Sequence, residues 1–241
     1  MKAAVIESAG KLVVRDLDMP PVGEYEALCE TQYGALCTGT DNHLLHARPP
    51  FCYWVKLPAI LGNESIGKVV KLGAKVRNLK EGDLVARVGH PGANGVGNAW
   101  GGFAELTLAR DWQAMRDDGR PEGEWKNHTV NQVLPAGVDA AQGTMFITWR
   151  ETLSYMNRIG ASQGKKVLVI GSGANGLSMA NHAHNLGAEK VVLVGSSGRK
   201  QESLKVGCAA FVDYKAADGR AQALAVCPTG FDIAVDVVGS P

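Results

Sequence analysis

The chain changes its hydrophobic rhythm part-way along. Over the first 110 residues, short apolar or alternating runs recur: KAAVIE (2–7), KLVVRDL (11–17), YEALCETQYGALC (25–37), SIGKVVKL (65–72), DLVARV (83–88) and FAELTLA (103–109). Gly, Pro, Asn and Asp punctuate them, the pattern of short strands joined by tight turns, which predicts a barrel or sandwich. Residues 110–132 are polar and aperiodic, and predict a surface excursion. From 145 the period lengthens: Phe146, Trp149, Leu153, Met156 and Ile159 fall at roughly helical intervals. KKVLVIG (165–171) and KVVLVG (190–195) are continuous apolar runs, as expected of strands buried on both faces of a parallel sheet. Between them lies the helix-like ANGLSMANHAHNLG, which closes on Gly187, a plausible residue just beyond the helix end. SSGRKQESLKVG suits a further helix, and AAFVDY (209–214) and FDIAVDVVG (231–239) two more strands. Strands alternating with helices define a doubly wound α/β unit.

Composition narrows the function classes. Of 241 residues, 45% are hydrophobic and 20% charged, so a sizeable core can form. The formal net charge of +1 gives no footprint for nucleic acid or an anionic membrane. No apolar stretch approaches the roughly 20 residues of a membrane helix. The N-terminal MKAAVIESAGKLVV lacks the apolar core and cleavage site of a signal peptide, so a soluble cytoplasmic protein is expected. The five cysteines, at 29, 37, 52, 208 and 227, are irregularly spaced and contain no Cys-x-x-Cys, which argues against a disulfide framework.

GSGANG at 171–176 fits Gly-x-Gly-x-x-Gly. The hexapeptide alone is weak evidence; following a buried strand and opening a helix, it predicts a dinucleotide-binding loop. Gly171 permits the tight turn, and Gly173 lets the backbone approach a pyrophosphate. Gly176 allows close packing, and Ala174 and Asn175 complete the loop at a helix N-terminus that favours negative charge. An acidic residue usually ends the next strand and binds the ribose 2′-hydroxyl of NAD. Here Gly195, Ser196, Ser197, Gly198, Arg199 and Lys200 offer hydroxyls, room and two cations, with no carboxylate until Glu202. That set suits the 2′-phosphate of NADP(H); the alternative is a solvated loop with incidental charges.

Three stretches then carry a resemblance to the medium-chain dehydrogenase/reductase superfamily, the relatives of zinc-type alcohol dehydrogenases. CTGTDNH (37–43) resembles the family's Cys-Gly-Thr-Asp-x-His segment. GNESIGKVVKLGAKV (62–76) matches its zinc signature except for the His, and GGFAE (101–105) and GSGANG complete the order. The resemblance implies an α/β plus β fold: an N-terminal GroES-like β-barrel domain over 1–145, for catalysis and substrate, then an incomplete Rossmann NAD(P)-binding domain over 146–241. The chain ends after a fourth strand where such sheets usually have six. The family's C-terminal part, about a hundred residues, is thus missing or the sheet is completed some other way.

Carried over residue by residue, the resemblance weakens the zinc site. Cys37 lies four residues before Asp41 where the family has three, so Thr38 takes the ligand place when the Asp is aligned. Asn63 stands in place of the His ligand. Thr148 resembles the threonine that contacts nicotinamide, which puts Thr144 at the third ligand place. Catalytic zinc needs about three protein ligands. Cys37 and Glu64 remain as candidate metal residues, and tight zinc binding is not expected. Thr40 resembles the relay hydroxyl and His43 the relay histidine, while Asn63 could donate to a substrate oxyanion. Each also has an ordinary reading: a local backbone bond, a solvated loop histidine, a turn residue. Tyr53 and Trp54 could line an apolar cleft; His182 and His184 are read as structural or exposed. The implied activity is NADP(H)-dependent hydride transfer with a small alcohol or carbonyl substrate. A zinc-independent quinone or enone reductase and a non-catalytic dinucleotide-binding protein are the alternatives. A homodimer is one assembly the resemblance allows.

Overall fold

The computed structural model describes residues 1–238; the last residue of the FDIAVDVVG stretch, Gly239, lies outside them. The chain divides into two compact units at Ile147/Thr148.

The first unit contains β1 (Lys2–Ser8), β2 (Lys11–Asp16), β3 (Glu26–Ala35), α1 (Thr40–Leu45), β4 (Ala59–Ile60), β5 (Glu64–Leu72), β6 (Leu84–Ala86), β7 (Gly97–Asn98) and β8 (Leu106–Arg110). Then come α2 (Trp112–Asp117), α3 (Glu122–Trp125), α4 (Ala140–Gly143) and the start of α5 (Phe146–Arg158). The strands form two four-stranded sheets, ordered β2-β1-β4-β7 and β6-β5-β3-β8. Residues 103–105 stitch them: Ala4 N–H donates to Phe103 O at 2.8 Å and Glu105 N–H to Lys2 O at 2.9 Å. FAELTLA is therefore strand only from Leu106; its first three residues serve as a cross-sheet link. The result is the GroES-like barrel. Its interior is apolar, with Val5 and Ile60 on one sheet and Cys29, Val69 and Val85 on the other fully or almost fully buried; each such side chain contributes about 1.5–3 kcal/mol.

Phe103 also fixes local geometry. Its ring fills the space a Cβ would need at both Gly34 and Gly62, and Gly62 has φ +112°. Only glycine can hold that backbone and admit the ring.

The stretch 110–132, expected to be aperiodic, holds two short helices. Asp111 caps α2 by accepting Ala114 N–H at 2.9 Å, and Trp112 stacks on Trp125 with centroids 6.3 Å apart. Helices of four and six residues are too short to show a period, so they form through capping and stacking.

The second unit carries β9 (Lys166–Ile170), α6 (Ala174–Asn185), β10 (Lys190–Gly195), α7 (Lys200–Lys205), β11 (Ala210–Asp213), α8 (Gly219–Val226) and β12 (Ile233–Asp236). All four strands are parallel, in the order β11-β10-β9-β12. This is the first part of a Rossmann sheet, three strands wound one way and the fourth crossing to the other side of β9. Alternation explains the layers. Val167, Val169, Val191 and Leu193 pack against Met156, Met179, Ala180 and Ala183. Leu168, Val192, Val194 and Val212 face Ala223 of α8 and Cys227 just after it, a helix the sequence pattern did not announce. In α5, Met156 is fully buried while Trp149 and Leu153 are each 39% exposed, and Ile159 just after it is 45% exposed. No helix among the described residues is long and apolar enough to cross a membrane.

Candidate active site

In the first unit, the segment entering α1 folds back on itself. Asp41 accepts Cys37 N–H at 2.8 Å through Oδ2, and Thr40 N–H points to Cys37 Sγ at 3.4 Å. Asp41 is only 4% exposed and its Oδ1 has no hydrogen-bond partner. Burial pushes its carboxyl up to about 6; the Cys37 amide opposes that rise and the negative charge of Glu64 adds to it. Glu64 opens β5, is itself buried, and sits opposite Ala35 in the β3–β5 ladder. Asn63, just before it, is buried with an unpartnered Oδ1. Cys37, Thr40 and Asp41 are thus tied together at the start of α1, and Asp41 feels the charge of Glu64, which Asn63 precedes in the chain. Sequence reasoning used Asp41 only to align the motif; nothing in CTGTDNH marks this carboxylate as buried.

His43 stands half-buried on α1, with Nδ1 2.7 Å from Pro49 O. A carbonyl only accepts, so Nδ1 carries the proton, and in the neutral ring Nε2 keeps its lone pair. The ring meets Phe51 edge-on at 6.3 Å. Phe51, Trp54 and Trp100 form an aromatic triad with centroids 5.3–5.9 Å apart. Trp54 is 56% exposed and Tyr53 78%.

Zinc does not fit this donor set. Asn63 offers a neutral amide, and the Thr144 hydroxyl is engaged with Ala141 O at 2.6 Å. His90 uses both ring nitrogens, on Asp18 O and Gly92 N–H, and His46 bonds Asn42 O. Among the described residues no three His, Cys, Asp or Glu side chains are grouped to hold a metal.

In the second unit the glycine loop joins β9 to α6. Gly171 has φ +118°. A Cβ at Gly176 would strike the Gly171 carbonyl, whereas one at Gly173 would meet nothing within 4 Å. The loop is therefore closed inward and open outward. Gly173 is the N-cap of the twelve-residue α6 and no side chain caps its first amides. An open glycine beside uncapped amides at a helix N-terminus fits a pyrophosphate. At the end of β10, Gly195 is buried, and Ser196, Ser197, Gly198, Arg199 and Lys200 are exposed. Thr148 is buried in α5. His182 is half-buried, its pKa lowered by burial, and His184 is exposed.

Residues 23–117 match the alcohol dehydrogenase GroES-like domain family. The chain is 27% identical over 202 residues to L-galactonate-5-dehydrogenase of Escherichia coli (strain K12), covering 83% of this chain and 58% of that one. It is 31% identical over 209 residues to sorbitol dehydrogenase of Ovis aries, covering 84% and 58%. A zinc-binding dehydrogenase from Sinorhizobium meliloti 1021, solved bound to NADP, superposes with TM-score 0.78 at 25% identity, covering 99% of this chain and 70% of that one. The chain belongs to the medium-chain dehydrogenase/reductase superfamily. It spans 58% of the length of these two curated relatives.

Proposed function

We propose that the protein is an NADP(H)-dependent oxidoreductase that moves hydride between nicotinamide and a small alcohol or carbonyl compound. The observation that carries this reading is the second unit's loop: a glycine turn open to an anion, followed by a strand end with two hydroxyls and two cations in place of an acid. An acid there would favour the ribose 2′-hydroxyl and repel a 2′-phosphate; Arg199 and Lys200 do the reverse. The relatives named for sorbitol and L-galactonate point to a polyhydroxylated substrate oxidised at a carbon bearing a hydroxyl.

The bound nicotinamide would supply the hydride acceptor or donor. The N-terminal amides of α6 would hold the pyrophosphate, with Thr148 positioning the nicotinamide end. In the first unit, the Asn63 amide would hold the substrate oxygen and stabilise its developing charge, a contribution of about 3 kcal/mol for one well-placed donor. Thr40 would take the hydroxyl proton and His43, with its lone pair on Nε2, would pass it to solvent.

The test is a titration of NADPH and NADH followed by turnover with polyols, simple ketones and enones. NADPH preference with turnover of polyols or ketones supports the reading. The neutral residues at Asn63 and Thr144 favour one second reading, a quinone or enone reductase, in which hydride goes to a carbon conjugated with the carbonyl. Turnover of enones alone would select it. Binding of NADPH without turnover across the panel would leave a dinucleotide-binding protein without catalysis.

A further inference from the structure

The imidazole of His90 is buried, at 1% exposure, and its two nitrogens are tied to different parts of the chain. Nε2 lies 3.1 Å from Asp18 O, and Nδ1 lies 3.0 Å from Gly92 N. A carbonyl only accepts and an amide N–H only donates, so the tautomer is fixed: the proton sits on Nε2 and the lone pair on Nδ1. Asp18 is gripped a second time. Its N–H donates to Asn94 Oδ1 at 2.9 Å, and Asn94 Nδ2 donates to its carboxylate at 3.1 Å. Residues 91–98 are thus strapped to the segment that follows β2. Within the strap, Asn98 Nδ2 donates to Pro91 O at 2.7 Å. Val96 is 4% exposed, set among Ala3, Val5, Leu17, Ile60 and Ala104. Ala99 N–H then donates to Ile60 O at 2.7 Å, and Trp100 follows with φ +70°, a costly conformation for a bulky side chain. The strap therefore leads directly into the ring against which Phe51 and Trp54 pack.

We propose that residues 91–98 are an acid-released strap: the neutral His90 ring latches them to Asp18, and a proton taken up at Nδ1 opens the latch. The ring does not become an imidazolium in place, because Nδ1–H would face Gly92 N–H with no acceptor between them. The surrounding charges do not help a cation. The Met1 ammonium, which donates to Leu17 O at 2.9 Å, repels one. The Asp18 carboxylate is taken by Asn94 Nδ2, residues 91–104 carry no charged side chain, and the guanidinium of Arg87 lies over Trp100. Burial holds the His90 pKa below its usual 6.5, with the Asp18 carbonyl opposing and the Met1 ammonium adding to the shift. In the open strap the ring returns to about 6.5. The stability of the closed strap is therefore fully present above that value and is lost as pH falls toward the lower, closed-state value. Release frees Val96 from the core and slackens the lead into Trp100, so the aromatic cluster beside His43 loosens in acid. The latch lies wholly in the first unit and is independent of the dinucleotide chemistry proposed for the second.

The test is hydrogen–deuterium exchange of the full chain, read peptide by peptide from about pH 7.5 down to about 4.5 and corrected for the intrinsic pH dependence of exchange. Histidine NMR on the same protein reads the titration of His90. The peptide spanning residues 90–100 is expected to exchange faster in acid, by about tenfold for each unit by which closure lowers the His90 pKa, while β3 and β5 of the same unit stay protected. His90→Asn keeps an oxygen for Gly92 N–H, as Asx turns do, and does not titrate in this range, so its exchange over residues 90–100 is independent of pH. Asn94→Ala removes the second grip on Asp18 and leaves the ring, so His90 titrates closer to 6.5 and the acid rise begins at higher pH. An unchanged acid rise in His90→Asn, a matching rise in β3 and β5, or an Asn94→Ala profile identical to the wild type would overturn the proposal. So would a His90 that takes up its proton while the strap stays protected. Should His90→Asn fail to fold, Asn94→Ala and the His90 titration decide the question by themselves.

Discussion

His128 gives the clearest test of how charge is arranged in the barrel unit. Arg110 Nη1 donates to His128 Nε2 at 2.8 Å, and Arg110 Nη2 is paired with Glu26 at 2.7 Å. Burial pushes the His128 pKa down to about 4, and the Arg110 charge adds to the shift. The folded chain thus holds this ring neutral, while the unfolded chain protonates it near 6.5. Between those values the unfolded state binds the extra proton, so stability is fully present above pH 6.5 and falls as pH drops toward 4. For pKa values of 6.5 and 4, the loss between pH 7.5 and 4.5 is about 2.5 kcal/mol, and still about 2 kcal/mol if the folded value is a unit higher. His128→Gln keeps an oxygen that can accept from Arg110 and cannot titrate in this range. Urea unfolding of both proteins at several pH values between 4.5 and 7.5, followed by circular dichroism, isolates this residue from the carboxylates. The variant should lose about 2 kcal/mol less than the wild type over that span. Parallel pH profiles would refute the assignment.

Three further outcomes are expected. Asp111→Ala should cost about 3–5 kcal/mol of unfolding free energy, because this buried carboxylate accepts from Arg77 N, Asn78 N, Asn78 Nδ2 and Ala114 N, and three backbone amides lose a partner together. Gly176→Ala should weaken NADP+ by at least ~10-fold in calorimetric titration, because the new methyl drives α6 off the Gly171 carbonyl, while the gain in helix propensity of about 1 kcal/mol limits the loss of fold stability. Protein purified without chelator should carry well under one zinc per chain by elemental analysis, and dialysis against a chelator should leave Tm unchanged, since Asn63 and Thr144 are poor ligands; stoichiometric zinc would show that the donor set has been misjudged.

Much of the second unit was legible before its structure. Continuous apolar runs marked β9 and β10, and the glycine spacing marked the turn into α6, because both follow from strict local rules of burial and backbone conformation. The helical interval around Met156 was right in type, but Trp149, Leu153 and Ile159 share its period without being buried. The helices α2, α3 and α8 were missed for different reasons. The first two are shorter than a hydrophobic repeat; α8 is mostly small residues with no contrasting face. Ser172 was passed over as the unspecified second position of a motif. Its close approach to Gly195, twenty-three positions later, arises through space, and only the fold brings the two together. Asp41 was invisible for the same reason: burial is what makes its carboxyl unusual, and a turn sequence does not announce burial.

The double packing of Phe103 against Gly34 and Gly62 has an evolutionary consequence. Three positions far apart in the chain share one volume, so they cannot drift independently. A side chain gained at 34 is tolerable only in a lineage that has already surrendered the ring at 103, and the reverse order passes through a clash; position 62 stays glycine in either order, because its positive φ and the Phe103 backbone nitrogen exclude a Cβ as well. Substitutions at these sites should therefore be contingent on one another, with historical order constrained by a single aromatic ring.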